Sequence, residues 1–206
     1  RVLRAQWSQW GGTWRGRLKD GPWPSDIPVW RHWDSPPLAE VVRDINKFSN
    51  NVMAQQLFLT LGLQQRGVGS MEASREVVLR WWRERLGADV PLPDVDNGAG
   101  LSRTARTTAQ ALGRLLRVAY ATGHMPELMA SLPLSGHDGT LRRSQNAVGL
   151  AHLKTGSLND VSALAGYVHG AQGRRLVFVA IVNHPNAHAA RPALQALVAW
   201  AAGTGP

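Results

Sequence analysis

The chain has 206 residues, enough for one domain with a small appendage and for a core that needs no covalent staples. The absence of cysteine excludes disulfides and thiolate metal sites, and no apolar run reaches the roughly 18 residues of a membrane-spanning helix. The formal net charge is +9, but the 20 arginines are scattered and only Lys19, Lys47 and Lys154 are lysines. A basic surface suggests nucleic acid, an anionic envelope polymer or anionic lipid as a neighbour, the scatter of the arginines counts against nucleic acid, and the scarcity of lysine leaves few candidates for any lysine-dependent chemistry.

Residues 1–34 read as a Trp-rich N-terminal segment, holding six of the nine tryptophans. Trp7, Trp10 and Trp14 recur at helical spacing, and Gly11-Gly12 predicts that the helix is short. Gly21-Pro22-Trp23-Pro24 and Ile27-Pro28 predict loop. The rings are expected to pack a core with a few left exposed, rather than to form a carbohydrate platform. Residues 1–19 lack the apolar stretch of a secretory signal, so the chain is expected to be a processed protein or a portion of a longer one.

Residues 35–206 form the main portion. Ser35-Pro36-Pro37 predicts a helix start, and Leu38, Val41, Val42 and Ile45 supply its apolar stripe. The stripe breaks near Phe48-Ser49-Asn50. A second helix follows with Met53, Leu57, Phe58 and Leu61 inward, ending at Gly62 or Gly67. Ser70 is expected to cap a third helix, with Val77, Val78, Trp81 and Leu86 packed and Gly87 as the stop. Residues 91–100 predict a turn-rich loop, in which Gly98 and Gly100 serve a tight turn. Thr107 and Gln110 match a capping box ahead of Leu112, Leu115, Leu116 and Ala119. Pro126–Ser131 predicts a short helix and Gly136–Thr140 a loop. Strands are then expected at Ala147–Thr155, at Ser162–Val168 and, buried, at Leu176–Val182, with a hairpin between the last two. Pro192–Ala201 closes as a helix. Helices, an antiparallel meander and a final helix define an α+β layered domain.

Two short motifs stand out: Ser49-Asn50-Asn51 at a junction between helices, and Lys154-Thr155-Gly156 near a strand end. An S-x-N followed by a K-T-G belongs to the motif set of serine β-lactamases and penicillin-binding proteins. The surrounding sequence strengthens the match: Ser35-Pro-Pro-Leu-Ala, Asn46-Lys-x-Ser49-Asn-Asn51, Asn97-Gly-Ala-Gly-Leu-Ser-Arg103, Asp138-Gly-Thr-Leu141, and Lys154-Thr-Gly-Ser-Leu-Asn-Asp-Val161 with Ala165-Gly-Tyr167. Together these resemble the D-alanyl-D-alanine carboxypeptidase/endopeptidase family, the class C low-molecular-mass penicillin-binding proteins, from about Ser35 to Asn183. The resemblance implies a β-lactamase/transpeptidase-like fold with an antiparallel sheet between helical layers. It implies hydrolysis of D-alanyl peptide bonds in peptidoglycan through an acyl-serine intermediate, binding of β-lactams, a periplasmic location and no cofactor or metal.

Peptide cleavage by a serine needs an activated hydroxyl, a proton path to the leaving amine and donors for the oxyanion. The resemblance gives Ser49 the proton relay and Lys154 the task of holding that hydroxyl and adding positive potential. It gives Asn51 a substrate amide, and Thr155, Gly156 and Ser157 the substrate end, with the Ser157 backbone N–H facing the oxyanion. One element of the set is absent. Gly16, Asp44 and Ala151 stand three residues before the three lysines, so no S-x-x-K occurs and the nucleophile with its lysine base is expected outside this chain. The family's sheet also draws strands from its N-terminal part, so an unpaired edge and self-association of the isolated chain are expected. The second reading is a non-catalytic module that binds peptidoglycan or another envelope polymer. His137, Asp138 and His152 read as loop or core polar residues. His184 and His188 have i, i+4 spacing, but Pro185 precludes an ordinary helix there, and no metal site is expected.

Overall fold

The structure is a computed structural model that describes residues 2–17, 19–22, 24–29 and 31–204. The chain divides into two compact units, Arg1–Ser35 and Pro36–Pro206. The first contains helix α1 (Val2–Gln9) followed by irregular chain. The predicted Trp face is only partly helical, because α1 stops before Trp10 and Gly11 adopts a left-handed φ of 80°. The Trp7 indole instead donates to the Thr13 carbonyl and folds the chain back on the helix. Trp10 and Trp33 are exposed, and the Arg31 guanidinium lies over the Trp33 ring. Trp23 and Trp30 lie outside the described residues.

The second unit carries α2 (Leu38–Phe48), α3 (Asn51–Arg66), α4 (Met71–Leu86), α5 (Ala109–Tyr120) and α6 (Met125–Ser131). Strands β1 (Ala151–Leu158), β2 (Val161–His169) and β3 (Arg175–Asn183) follow, and α7 (Arg191–Ala202) closes the chain. The strands form one antiparallel sheet in the order β1-β2-β3. Local chemistry sets the helix boundaries. The Asn50, Ser70 and Thr108 side chains each accept a first-turn amide, and Gly67 ends α3 in the left-handed region. The cap of α5 is therefore Thr108, one residue beyond the capping box read from the sequence.

Alternation along β2 sends neighbouring residues to opposite layers. Val168 joins Ala151, Leu153, Val198 and Ala202 beneath α7. Tyr167 joins Met129, Leu132 and Leu116 beneath α5 and α6. Its hydroxyl donates to the Leu116 carbonyl, and burial, with Tyr120 alongside, pushes the phenol up to about 12. Gly166 lets β1 and β2 approach closely: a Cβ there would stand 2.1 Å from the His152 carbonyl oxygen. In α4 the buried indole is Trp82, packed with Leu86 and Ala111, while Trp81 is 42% exposed. Strand β3 is half-buried rather than fully buried, and its outer edge has no strand partner among the described residues.

Candidate functional site

The S-x-N motif occupies the junction of α2 and α3. Ser49 is the C-cap of α2, with φ 54° and ψ 47°, and its amide donates to the Ile45 carbonyl. A left-handed conformation is costly for a residue with a Cβ, on the order of 1 kcal/mol, and it persists only where the surroundings fix it. Here the next residue, Asn50, caps α3, so the two helices share a turn too short for a relaxed linker. Ser49 is thereby turned toward β1. Asn51, in the first turn of α3, donates its amide to the Ala99 carbonyl at 2.6 Å. That carbonyl belongs to the loop that Asn97 braces by accepting from the Ala99 amide and donating to the Leu101 carbonyl.

The K-T-G motif lies within β1, opposite Ala163–Ala165 of β2. The Lys154 ammonium donates to Ser49 Oγ at 2.8 Å and to the Thr155 carbonyl at 3.1 Å. It has no carboxylate partner among the described residues, and burial lowers its pKa. The Thr155 hydroxyl donates to the Thr140 hydroxyl at 3.0 Å, and Ser157 Oγ accepts from the Arg191 guanidinium at 3.3 Å. Gly156 stands between them, and the Ala163 Cβ lies 3.4 Å from where its own Cβ would be. Ser49, Asn51, Lys154, Thr155, Gly156 and Ser157 thus fall in one region, with Ser49 and Lys154 in direct contact.

A second lysine anchors the same junction. The Lys47 ammonium donates to Asp138 Oδ2 at 2.6 Å and to the Leu132 carbonyl at 2.7 Å. Asp138 Oδ1 accepts from the Leu134 amide at 2.8 Å. Burial pushes the Asp138 carboxyl up, but the hydrogen bonds from Lys47 and the Leu134 amide and the nearby positive charge outweigh it, so its pKa is lowered. Gly139 permits this contact, since a Cβ there would meet the Lys47 carbonyl oxygen at 2.6 Å. Asn46 adds a bond to Ser131, which in turn donates to the Leu128 carbonyl. The segment 132–140 therefore runs from the Lys47 anchor to Thr140, the hydroxyl partner of Thr155. Sequence reading treated Asp138 as a loop polar residue and gave Thr140 and Arg191 no part. The usable signal was the rarity of lysine, which marks Lys47 as well as Lys154.

His152 follows the reading of a core polar residue: burial lowers its pKa first, and the ring of His169 lies 5.5 Å from it. Among the described residues no group of three or more His, Asp or Glu side chains could hold a metal ion. A cleft of about 850 Å³ opens beside Lys154, between α5 and the sheet, with Leu112, Leu116, Ala165 and Ile181 among its walls.

The fold is that of the penicillin-binding proteins. Penicillin-binding protein 4 of Haemophilus influenzae, solved with a β-lactam, superposes with a TM-score of 0.75 at 24% identity, over 88% of this chain and 43% of that one. A predatory peptidoglycan endopeptidase from Bdellovibrio bacteriovorus superposes with a TM-score of 0.57 at 18% identity, over 82% of this chain and 44% of that one. The model of the D-Ala-D-Ala carboxypeptidase 3 (S13) family matches residues 1–204, and the chain belongs to that family. Among curated relatives, a D-alanyl-D-alanine carboxypeptidase of Actinomadura sp. strain R39 is 34% identical over 92% of this chain. A carboxypeptidase DacB of Mycolicibacterium smegmatis is 32% identical over 80% of it. The chain spans 37% of the length of each of these two relatives.

Proposed function

We propose that this chain supplies the proton-relay and substrate-holding half of a serine D-alanyl-D-alanine peptidase that acts on peptidoglycan stem peptides and binds β-lactams. The observation that carries the reading is the 2.8 Å hydrogen bond from the Lys154 ammonium to Ser49 Oγ. With Lys154 donating, the Ser49 hydroxyl hydrogen is free to point toward a reacting centre. An ammonium without a carboxylate partner keeps its positive potential for the substrate. The nucleophilic serine and its lysine base come from a segment outside this sequence, seated in the cleft beside Lys154. In the reaction the serine oxygen attacks the D-alanyl carbonyl and its proton passes through Ser49 to the leaving amine. The Ser157 amide steadies the oxyanion, Asn51 holds a substrate amide, and water then releases the acyl group. The substrate implies an envelope location outside the cytoplasmic membrane. No helix among the described residues is long and apolar enough to cross a membrane. The edge of β3, which has no strand partner among the described residues, is the surface through which the isolated chain would self-associate, and sedimentation at several concentrations tests this.

The test is intact mass after incubation with penicillin, for this chain and for a longer chain extended upstream to include an S-x-x-K. The expected result is one penicilloyl adduct on the longer chain alone, lost when Lys154 is replaced by alanine. Stoichiometric acylation of the 206-residue chain would place the nucleophile within it. No adduct on either chain would favour the non-catalytic polymer-binding module.

A further inference from the structure

We propose that His152 is a pH-sensing positioning residue: a proton taken up there loosens segment 132–140 from β1 and so releases Thr140 from Thr155. The inference does not depend on the reaction proposed above, and its test needs no substrate. His152 lies on β1 two residues before Lys154, so the two side chains stand on the same face of the sheet. Leu134 pairs with His152 as an isolated antiparallel bridge. Around that bridge the Ser135 amide donates to the Ala151 carbonyl at 2.9 Å, and the Leu153 amide donates to the Pro133 carbonyl at 3.0 Å. Segment 132–140 is thus a short extra rung on the outer edge of β1, and it ends at the Thr140 hydroxyl that accepts from Thr155.

The His152 ring has a nitrogen to spare. Nδ1 is buried and has no hydrogen-bond partner among the described residues. A neutral imidazole tolerates a bare acceptor, but a proton added at Nδ1 is a buried charge with nothing to receive it. The groups around the ring divide. The Lys47 ammonium from α2 and the His169 ring from β2, 5.5 Å away, oppose the proton, while the Met129 backbone from α6 and the Asp138 carboxylate favour it. Lys154 is the next side chain along this face of β1 and is also a cation. Tyr167, the cross-strand partner of His152, stays neutral because burial pushes its phenol up to about 12. Burial is the largest influence and it holds the His152 pKa below the ordinary 6.5. Asp138, the carboxylate that acts on the ring, is already held by Lys47 and the Leu134 amide. A protonated His152 therefore either draws Asp138 away from Lys47 or leaves its place, and each move undoes a fastening of segment 132–140. In the loosened state the imidazole regains its ordinary pKa. Loosening is then favoured progressively as pH falls from 6.5 to the lowered folded value, and it levels off below that.

The experiment measures hydrogen-exchange protection of the Ser135 and Leu153 amides in the ¹⁵N-labelled 206-residue chain from about pH 7.5 to about pH 4.5, with the His152 ring proton shifts followed alongside. Protection is expected to fall by up to about tenfold for each pH unit below 6.5, levelling at the midpoint of the ring titration. It should lie below the protection of Ala165 in the central strand at every pH, which marks a local opening. His152→Gln keeps a polar side chain of similar reach that takes no charge, and its protection should be level across the same window. His169→Gln removes an opposing group and should raise the ring midpoint. If His152→Gln keeps the wild-type pH dependence, another group senses the proton and the inference falls. Equal protection at Ser135, Leu153 and Ala165 would show that the segment opens only with the whole fold, which also overturns it. Should His152→Gln fail to fold, His169→Gln decides alone, and an unchanged midpoint counts against the inference.

Discussion

Lys47 and Lys154 both converge on the junction of α2 and α3, and their surroundings are opposite. Lys47 is 12% exposed and pairs with the Asp138 carboxylate and the Leu132 carbonyl. Lys154 is also partly buried, but it faces a hydroxyl and one backbone carbonyl, with no opposite charge beside it among the described residues. Desolvating a charge costs free energy unless a partner offsets it. At Lys47 the offset is supplied and the residue fastens the junction. At Lys154 no carboxylate among the described residues supplies it, and the ammonium keeps its charge unneutralised. The comparison separates a lysine that holds structure from one that is held by it.

The largest effect is expected for Lys47→Met. It strands Asp138 against its own backbone contacts and releases the Leu132 carbonyl, with an expected loss of about 2 kcal/mol in urea denaturation. Asp138→Asn tests the same pair through pH. The lowered carboxyl contributes stability that is present above its ordinary value of 3.8 and is lost as pH falls through its lower folded value. The variant should therefore show a flatter acid limb in stability measured from pH 6 downward. Lys154→Met should do the reverse of Lys47→Met in size, changing stability by no more than about 1 kcal/mol, because it removes an unpaired buried charge. Since burial lowers the Lys154 pKa, the native protein gives up this proton before the unfolded chain does. Stability should then rise as pH climbs from the lowered value toward 10.5, and that rise should be missing in Lys154→Met. The smallest effect is expected for Thr140→Val, about 0.5 kcal/mol, since the bond it removes from Thr155 is exposed.

Much of the layout of the candidate site was legible because it is built on residue types that have few substitutes. A serine and an asparagine at a helix break, and one of three lysines before Thr155-Gly156, stand out without any structure. Caps such as Ser70 were readable for the same reason, since the side chain and the amide it accepts are neighbours in sequence. Boundaries decided by packing were less readable. The first strand was expected from Ala147, but Ala147 and Gly149 both take positive φ and form a turn, so β1 begins at Ala151. Alternation alone continues through that turn and cannot detect it. Trp81 and Trp82 are adjacent aromatics, and only the position of α5 buries the second. The Lys47–Asp138 pair joins positions 91 residues apart and leaves no local pattern.

That separation bears on the order of folding. The meander β1-β2-β3 is built from neighbouring strands joined by short turns, so its pairing closes small loops. The Ser49–Lys154 contact closes a loop of 105 residues, and the entropy of that closure is met only when helices and sheet dock. Refolding should therefore assemble the hairpins first and bring Lys154 to Ser49 last. The motif pair would then serve as an internal clock hand, marking when the two halves of the domain have joined.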